Sequence, residues 1–423
     1  MTKKFKLKSG KKKHAYLHKR HNKEIRFQLY GITAMLISFT MLAILLISII
    51  SRGYTAFVKT EISLPIEFSE SVLVPDDDAD YGSLVKESLK KMFPEASGRS
   101  DRMLLYKLIS NNSSYRLKNL VNNNNNLIGK TVDVWFFASA DVDIFEKGYI
   151  SREIEEDSRQ IKDKQIVWLD KLKEQGRLRK VFNTTFFTEG DSREPEQAGM
   201  LGSFIGSLFT ILACMLLAAP IGVFAAIYLE EFARANVFTD FIEINISNLA
   251  AVPSIIYGLL GLAVYLNFFG LPRSSSLVGG LTLAMLVLPT IIITTRNAIK
   301  AVPPSIKDAA TALGASRMQM VFHHIFPAAM PGIMTGVVLS VARTLGETAP
   351  LLMIGMVAFI ADVPKTMIDP ATTLPVQVFL WSDSPEMAFV EKTAACIIVL
   401  LVLLAAINGF AAYIRNKFEV KWE

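Results

Sequence analysis

Cysteine and histidine are scarce in this chain, two of the first and five of the second in 423 residues. Cys214 and Cys396 both fall inside apolar runs, so neither a disulfide framework nor a Cys/His metal set follows from them. No Cys-x-x-Cys or His-Glu-x-x-His spacing occurs. Gly129-Lys130-Thr131 resembles the end of a phosphate-binding loop, but Asn124 stands where that loop's first glycine belongs, and the segment reads as a turn. Asp76, Asp77, Asp78 and Asp80 lack the glycine and closing glutamate of a calcium loop and read as surface. No cofactor or metal is expected, and any nucleotide chemistry belongs to another chain.

Apolar length is what the chain has instead. Hydrophobic residues make up 51% of it and the mean hydropathy is positive, which indicates an integral membrane protein with a soluble insert. The net charge of +6 hides an asymmetry: the first 28 residues carry 11 Lys/Arg and one acid, or +10, leaving −4 for the remainder (6 − 10). That tail suits an anionic membrane leaflet, and nucleic acid is not an expected partner. His14, His18 and His21 read as part of a solvated basic arm.

The apolar runs predict an all-α membrane protein of six transmembrane helices with an inserted α/β soluble domain. Residues 1–28 form a basic cytoplasmic tail, 29–51 the first helix and 52–198 an extracytoplasmic α/β domain. Helices two to six occupy 199–414, and 415–423 is a second cytoplasmic tail. The later spans are placed at 200–229, kinked by Pro220, then at 241–268, at 277–295, from 328 onward and at 393–414. Asn245 and Asn248 inside the third read as glue between helices. Six spans from an inside N-terminus put Arg296, Lys300, Arg415 and Lys417 inside, as the positive-inside rule asks. Within the insert, 131–138 and 181–188 read as strands and 122–126 as a low-complexity loop. Residues 151–175 read as a helix with Ile154, Ile161, Trp168 and Leu172 on one stripe, ended by Gly176. LPVQVFLW, beginning at Leu374, reads as an amphipathic segment at the outer interface.

The chain is organised around 301–352. Pro303 and Pro304 stop the preceding helix, Ser305 and Asp308 have a capping spacing, and Gly314 suits a helix end. Ser316 and Gln319 repeat the capping spacing before Pro327. This predicts a water-side elbow of two short helices. Beyond it, Gly332, Gly336 and Ser340 recur every fourth residue, a face that lets membrane helices approach closely. Arg343 and Glu347, four apart, share a helix face roughly 20 Å beyond Ala329. An ionisable group at that depth costs about 3 kcal/mol, so it must face a partner or a wet path. A guanidinium fork matches paired phosphate oxygens better than an ammonium does. A buried ion pair that only fixes helix packing is the alternative.

Asp308-Ala309-Ala310, Gly314 and Phe326-Pro327 resemble the EAA loop of ABC-importer permeases, with Asp308 for Glu, His324 for Ile and Phe326 for Leu. ARTLGETAPLL, around Arg343, Glu347 and Thr348, is similar to a segment of phosphate-importer permeases, as are AVPSIIYGLLGL and, more loosely, the insert. The resemblance is to permease subunits of phosphate ABC importers of the PstA type, with an extra N-terminal extracytoplasmic domain. It implies the type I importer permease fold. It also implies that Arg343, Glu347 and Thr348 lie on the substrate pathway and that Asp308, Ala309, Ala310, Gly314 and Pro327 couple to ATPases. The implied partners are a sister permease, two ATPase subunits, an extracytoplasmic phosphate-binding protein, inorganic phosphate and membrane lipid. The place is a bacterial inner membrane, with both termini cytoplasmic. A permease for another oxyanion and a membrane sensor scaffold stand as rival readings.

Overall fold

The first helix, α1 (Ser9–Gly53), is longer than the apolar run it contains. In this computed structural model, which describes residues 9–68, 80–123, 127 and 129–418, the basic tail is helical from Ser9. Its Lys, Arg, Ala and Leu are good helix formers, and nothing breaks the helix before Gly53. Thr33, Ser38 and Thr40 donate their hydroxyls to carbonyls four residues back, so these three donors are satisfied within the helix. Residues 1–51 form a unit of their own. The acidic residues Asp76–Asp78 and the asparagines 124–126 lie outside the described residues.

A three-stranded antiparallel sheet follows, in the order β2-β1-β3. β1 (Val58–Glu67) lies in the middle, and α2 (Tyr81–Met92), α3 (Arg99–Tyr106) and α4 (Ser113–Asn123) come before β2 (Thr131–Phe137). Then come α5 (Ala140–Glu146), α6 (Asp163–Glu174), β3 (Leu178–Phe182) and α7 (Thr184–Thr188). Glu61 of β1 stands opposite Phe137 on one side and Arg179 on the other. Ile62, Leu64 and Ile66 point into a core with Phe136, Leu169 and Leu172. On the opposite face Glu61 accepts from Arg116 and Arg179, and the Lys59 ammonium lies 3.6 Å from the Phe137 ring centre.

Two expectations for this domain are corrected. The helix foreseen over 151–175 is only α6. Ile161, Trp168 and Leu172 are buried, but Ile154 is exposed in an irregular segment. Gln165 bonds back to the Lys162 amide and starts the helix there, and Gly176 ends it with φ +67°. The strand foreseen over 181–188 stops at Phe182, because the Asn183 side chain accepts from the Phe186 amide and opens α7. Gly129, with φ +80°, is the turn into β2.

The domain is mounted on the helical part through buried polar groups. Lys147 bonds Glu391 at 2.7 Å, Glu391 also accepts from Thr55 at 2.9 Å, and Lys392 donates to the Ala198 carbonyl at 2.5 Å. Burial opposes the Lys147 charge, but Asp143 and Glu391 outweigh it and hold its pKa above the usual lysine value.

Next come α8 (Leu201–Ile227), α9 (Val237–Ala250), α10 (Ser254–Gly261) and α11 (Ser276–Lys300). They are followed by α12 (Pro304–Ala312), α13 (Arg317–Met320), α14 (Phe326–Gly346), α15 (Ala349–Met353), α16 (Leu374–Ser382) and α17 (Met387–Phe418). Among the described residues, five helices are long and apolar enough to cross a membrane, and the pair α9 and α10, bent by 101°, makes up to six. The expected third span is thus not straight. Pro253 lacks the amide that would continue α9, and Tyr257 bonds the Leu249 carbonyl across the break. Asn245 does not glue helices together; it bonds the Phe241 carbonyl of its own helix. LPVQVFLW forms α16, whose Leu374, Val376, Gln377 and Trp381 are buried, so it packs into the core of this chain rather than lying on its surface as an amphipathic segment. Cys214 and Cys396 are both buried and free.

Two predictions follow from the packing and the charges. A Cβ on Gly258 would stand 2.7 Å from the Pro350 Cα, whereas one on Gly409 meets nothing within 4 Å. Gly258→Ala is expected to cost about 1–3 kcal/mol, seen as a lower thermal midpoint in detergent, while Gly409→Ala leaves it unchanged; equal midpoints would contradict this packing. Burial takes the Lys59 pKa down from 10.5 to about 8. Between those values the unfolded chain holds the extra proton, so stability should rise with pH across that window. Lys59→Met should flatten the rise, as thermal melts at the two ends of the window will show.

Candidate functional site

The elbow forms as a local structure, with one change of cap. Pro303 is the N-cap of α12 and Pro304 its first residue, so Ser305 and Asp308 do not cap it. A proline at the first helical position loses no hydrogen bond, because that amide has no partner in any helix. Gly314 leaves α12 with φ +80°, and Ser316 and Gln319 make a reciprocal capping box at the start of α13. The second helix does not stop at Pro327. A π-helical turn at Val321–Ile325 carries it into α14, giving one helical rod over Arg317–Gly346. The wider turn accommodates the hydrogen bond that Pro327 cannot give.

Burial then divides the elbow into two sides. Ala310, Met320, Val321 and Ile325 pack on Ile227 of α8 and Ile299 of α11. Lys307 bonds the buried Glu231 at 2.5 Å, and Arg296 bonds Glu230 and Glu243 at 3.3 and 2.7 Å. On the other side Asp308, Ala309 and Pro327 are exposed, and so are three large apolar residues, Leu313, Met318 and Phe322. Leu313 is 90% exposed and lies on this side with Met318 and Phe322.

At the far end of the same rod stands the Arg343–Glu347 pair, at 3.5 Å between Nε and Oε1. The two are not on one continuous helix as expected. α14 ends at Gly346, and Glu347 and Thr348 form the connection to α15. Arg343 thus sits in the last turn, where a cation meets the unpaired carbonyls of the helix end. Of the expected small-residue face, Gly336 and Ser340 are buried, with Gly336 against Thr294 of α11, and Thr344 continues it; Gly332 is exposed, although a Cβ there would meet Ala298. Arg343 lies beside that face with 38% of its side chain exposed, and Glu347 has 19%. AVPSIIYGLLGL and the ETAPLL segment meet directly, Gly258 lying under Pro350 and Met353.

Sequence reasoning missed a set of buried hydroxyls behind the pair. Ser207, Thr210, Thr344 and Thr373 line a cavity of about 10 Å³. The hydroxyls of Thr210 and Thr373 have no partner there, and the space suits one water molecule. The spacing of Ser203, Ser207 and Thr210 along α8 was the one signal available in the sequence, and inside an apolar run it reads equally well as packing.

Residues 218–420 match the family described as binding-protein-dependent transport system inner membrane component, and 14–156 match a domain of unknown function, DUF3333. The phosphate transport system permease protein PstA of Haemophilus influenzae is 36% identical over 199 residues, 47% of this chain and 69% of that protein. The PstA of Pasteurella multocida is 31% identical over 225 residues, 52% of this chain and 79% of that protein. A solved MetNI methionine ABC transporter in an inward-facing conformation shares 16% identity at a TM-score of 0.43, over 52% of this chain and 98% of that one. With the ARTLGETAPLL segment at the end of α14 and the matched relatives taken together, the chain belongs to the PstA family of phosphate transport permeases, multi-pass membrane subunits of phosphate ABC importers.

Proposed function

We propose that this subunit forms half of a phosphate pathway, with Arg343, Glu347 and Thr348 at the pathway and 301–327 as the seat of an ATPase. The observation that carries the reading is the half-exposed Arg343–Glu347 pair at one end of a rod whose other end is the elbow. The guanidinium still has donors free to meet phosphate oxygens, and Glu347 holds it in place and keeps the site close to neutral between passages. Thr348 adds a hydroxyl at the same level. A sister permease supplies the other wall.

Asp308, Ala309, Ala310, Gly314 and Pro327 give the elbow its shape, and Leu313, Met318 and Phe322 give it an apolar face to seat in a groove of a partner. Two ATPase subunits bind and hydrolyse ATP on that side, and an extracytoplasmic phosphate-binding protein delivers the anion on the other. Closure of the ATPases moves the elbow, and the rod carries the motion to Arg343. The domain limits read from the sequence fit this arrangement, with 52–198 extracytoplasmic and both termini cytoplasmic. The positive-inside rule supports that orientation.

In cells whose sole phosphate importer contains this chain, Arg343→Ala should lower labelled-phosphate uptake at least about tenfold while the subunits still co-purify. Uptake equal to the unsubstituted chain's would refute the role. Leu313 is 90% exposed, so Leu313→Asp should leave the thermal midpoint in place while phosphate-stimulated ATP hydrolysis falls about tenfold. Undiminished hydrolysis would mean that the elbow is not the seat.

A further inference from the structure

A recess separate from both the α14 end and the elbow lies where α17 meets the α/β domain. Its volume is about 320 Å³, and Arg52, Ile144, Tyr149, Met387, Val390 and Glu391 line it. Its floor is apolar: Ile144 is buried, and Met387 and Val390 are about half exposed, at 49% and 50%. Gly53, next to Arg52, is packed against the backbone of Ala394 and Ala395, which sets Arg52 beside the first residues of the apolar run of α17. Tyr54 and Tyr149 stand exposed beside it, as aromatic rings do at headgroup level.

The charges in the recess are not equivalent. Glu391 is taken up by Lys147 at 2.7 Å and Thr55 at 2.9 Å. The exposed Arg52 side chain is in ion-pair distance of no carboxylate among the described residues; its carbonyl alone is used, by Thr55 and Tyr149. A free guanidinium above an apolar trough at the membrane edge fits a phosphodiester attached to a fatty chain. We propose that this recess is a phospholipid site. The headgroup phosphate binds Arg52, and an acyl chain lies along Ile144, Met387 and Val390. The lipid comes from the leaflet on the α/β-domain side and braces α5 against α17. Inorganic phosphate shares the headgroup chemistry, but nothing in it covers the apolar floor.

Native mass spectrometry of the full chain, titrated with phosphatidylglycerol in detergent, tests the proposal. The unsubstituted chain should hold a lipid adduct that Arg52→Gln weakens about tenfold. Val390→Trp, which fills the trough and leaves Arg52 in place, should weaken it as well. Diacylglycerol, which lacks the phosphate, should give no adduct, and millimolar inorganic phosphate should not displace the lipid. Thermal midpoints in lipid-free detergent verify that the variants fold, and if Arg52→Gln does not, the Val390→Trp result decides. An adduct indifferent to these substitutions, equally formed by diacylglycerol or cleared by inorganic phosphate, overturns the site.

Discussion

The close approach of helix backbones around α11 is the constraint on which the membrane part depends. Lipid chains are as apolar as leucine, so helices there are held by contact and hydrogen bonding rather than by escape from water. α11 meets that demand with small residues on both itself and its neighbours. A Cβ on Gly280 would stand 2.8 Å from the Thr210 carbonyl of α8, one on Gly222 would meet Ile291 at 2.7 Å, and one on Gly332 would meet Ala298 at 2.6 Å. The hydroxyls in these contacts are turned back on their own helices: Thr282 bonds Val278, Ser340 bonds Gly336 and Thr344 bonds Ser340. Close contact is thus gained with few orphaned donors, the buried hydroxyls of Thr210 and Thr295 being the exceptions, and α11 becomes a post that α8 and α14 cannot easily slide along.

On the reading proposed above, a fixed post gives the elbow something to act against. The ion pairs of Glu230 and Glu231 with Arg296 and Lys307 tie the ends of α8 and α11 to α12, and the apolar contacts of Ile299 and Ile325 lie beneath them. The continuous helix over Arg317–Gly346 then spans about 45 Å at the usual rise per residue. A displacement of the elbow reaches Arg343 through one stiff element instead of a chain of loops. The π-helical turn at Val321–Ile325 is the one place where that element is wider, and it lies at the elbow, away from the charged pair.

The features legible in the sequence were those with local causes. Gly314, the Ser316–Gln319 box and the small-residue face of α14 depend on a few neighbouring residues, and each formed as its chemistry requires. β1 escaped notice although Ile62, Leu64 and Ile66 alternate with Glu61, Ser63 and Pro65 at the period of a strand, so this element was legible in the sequence. The β-rich composition of 181–188 lost to a single capping amide, Asn183. The hydrophobic stripe over 151–175 named three truly buried residues, but periodicity cannot tell a helix from an irregular segment that delivers Ile161 to the same core. The run at 241–268 had the composition of a span, and one proline decided its shape. The hydroxyl cavity behind Arg343 joins α8, α14 and the segment before α16, an encounter that no stretch of sequence contains.

The position of Arg343 carries a further consequence for assembly. Thr344 is buried and Arg343, one residue and about 100° around the helix, is not. The stripe of α14 that this chain covers therefore ends beside the Arg343–Glu347 pair. Lipid against that stripe would face an arginine and a glutamate that still have unsatisfied hydrogen-bonding sites, a cost of several kcal/mol even for a paired ion in hydrocarbon. Water or protein has to lie there. A water-filled gap open to lipid at its sides is not stable, so a second apolar wall must close it. On the reading proposed above, the charged pair and the sister permease require one another: the pair supplies the anion's contact, and the second subunit makes that contact tolerable in a membrane.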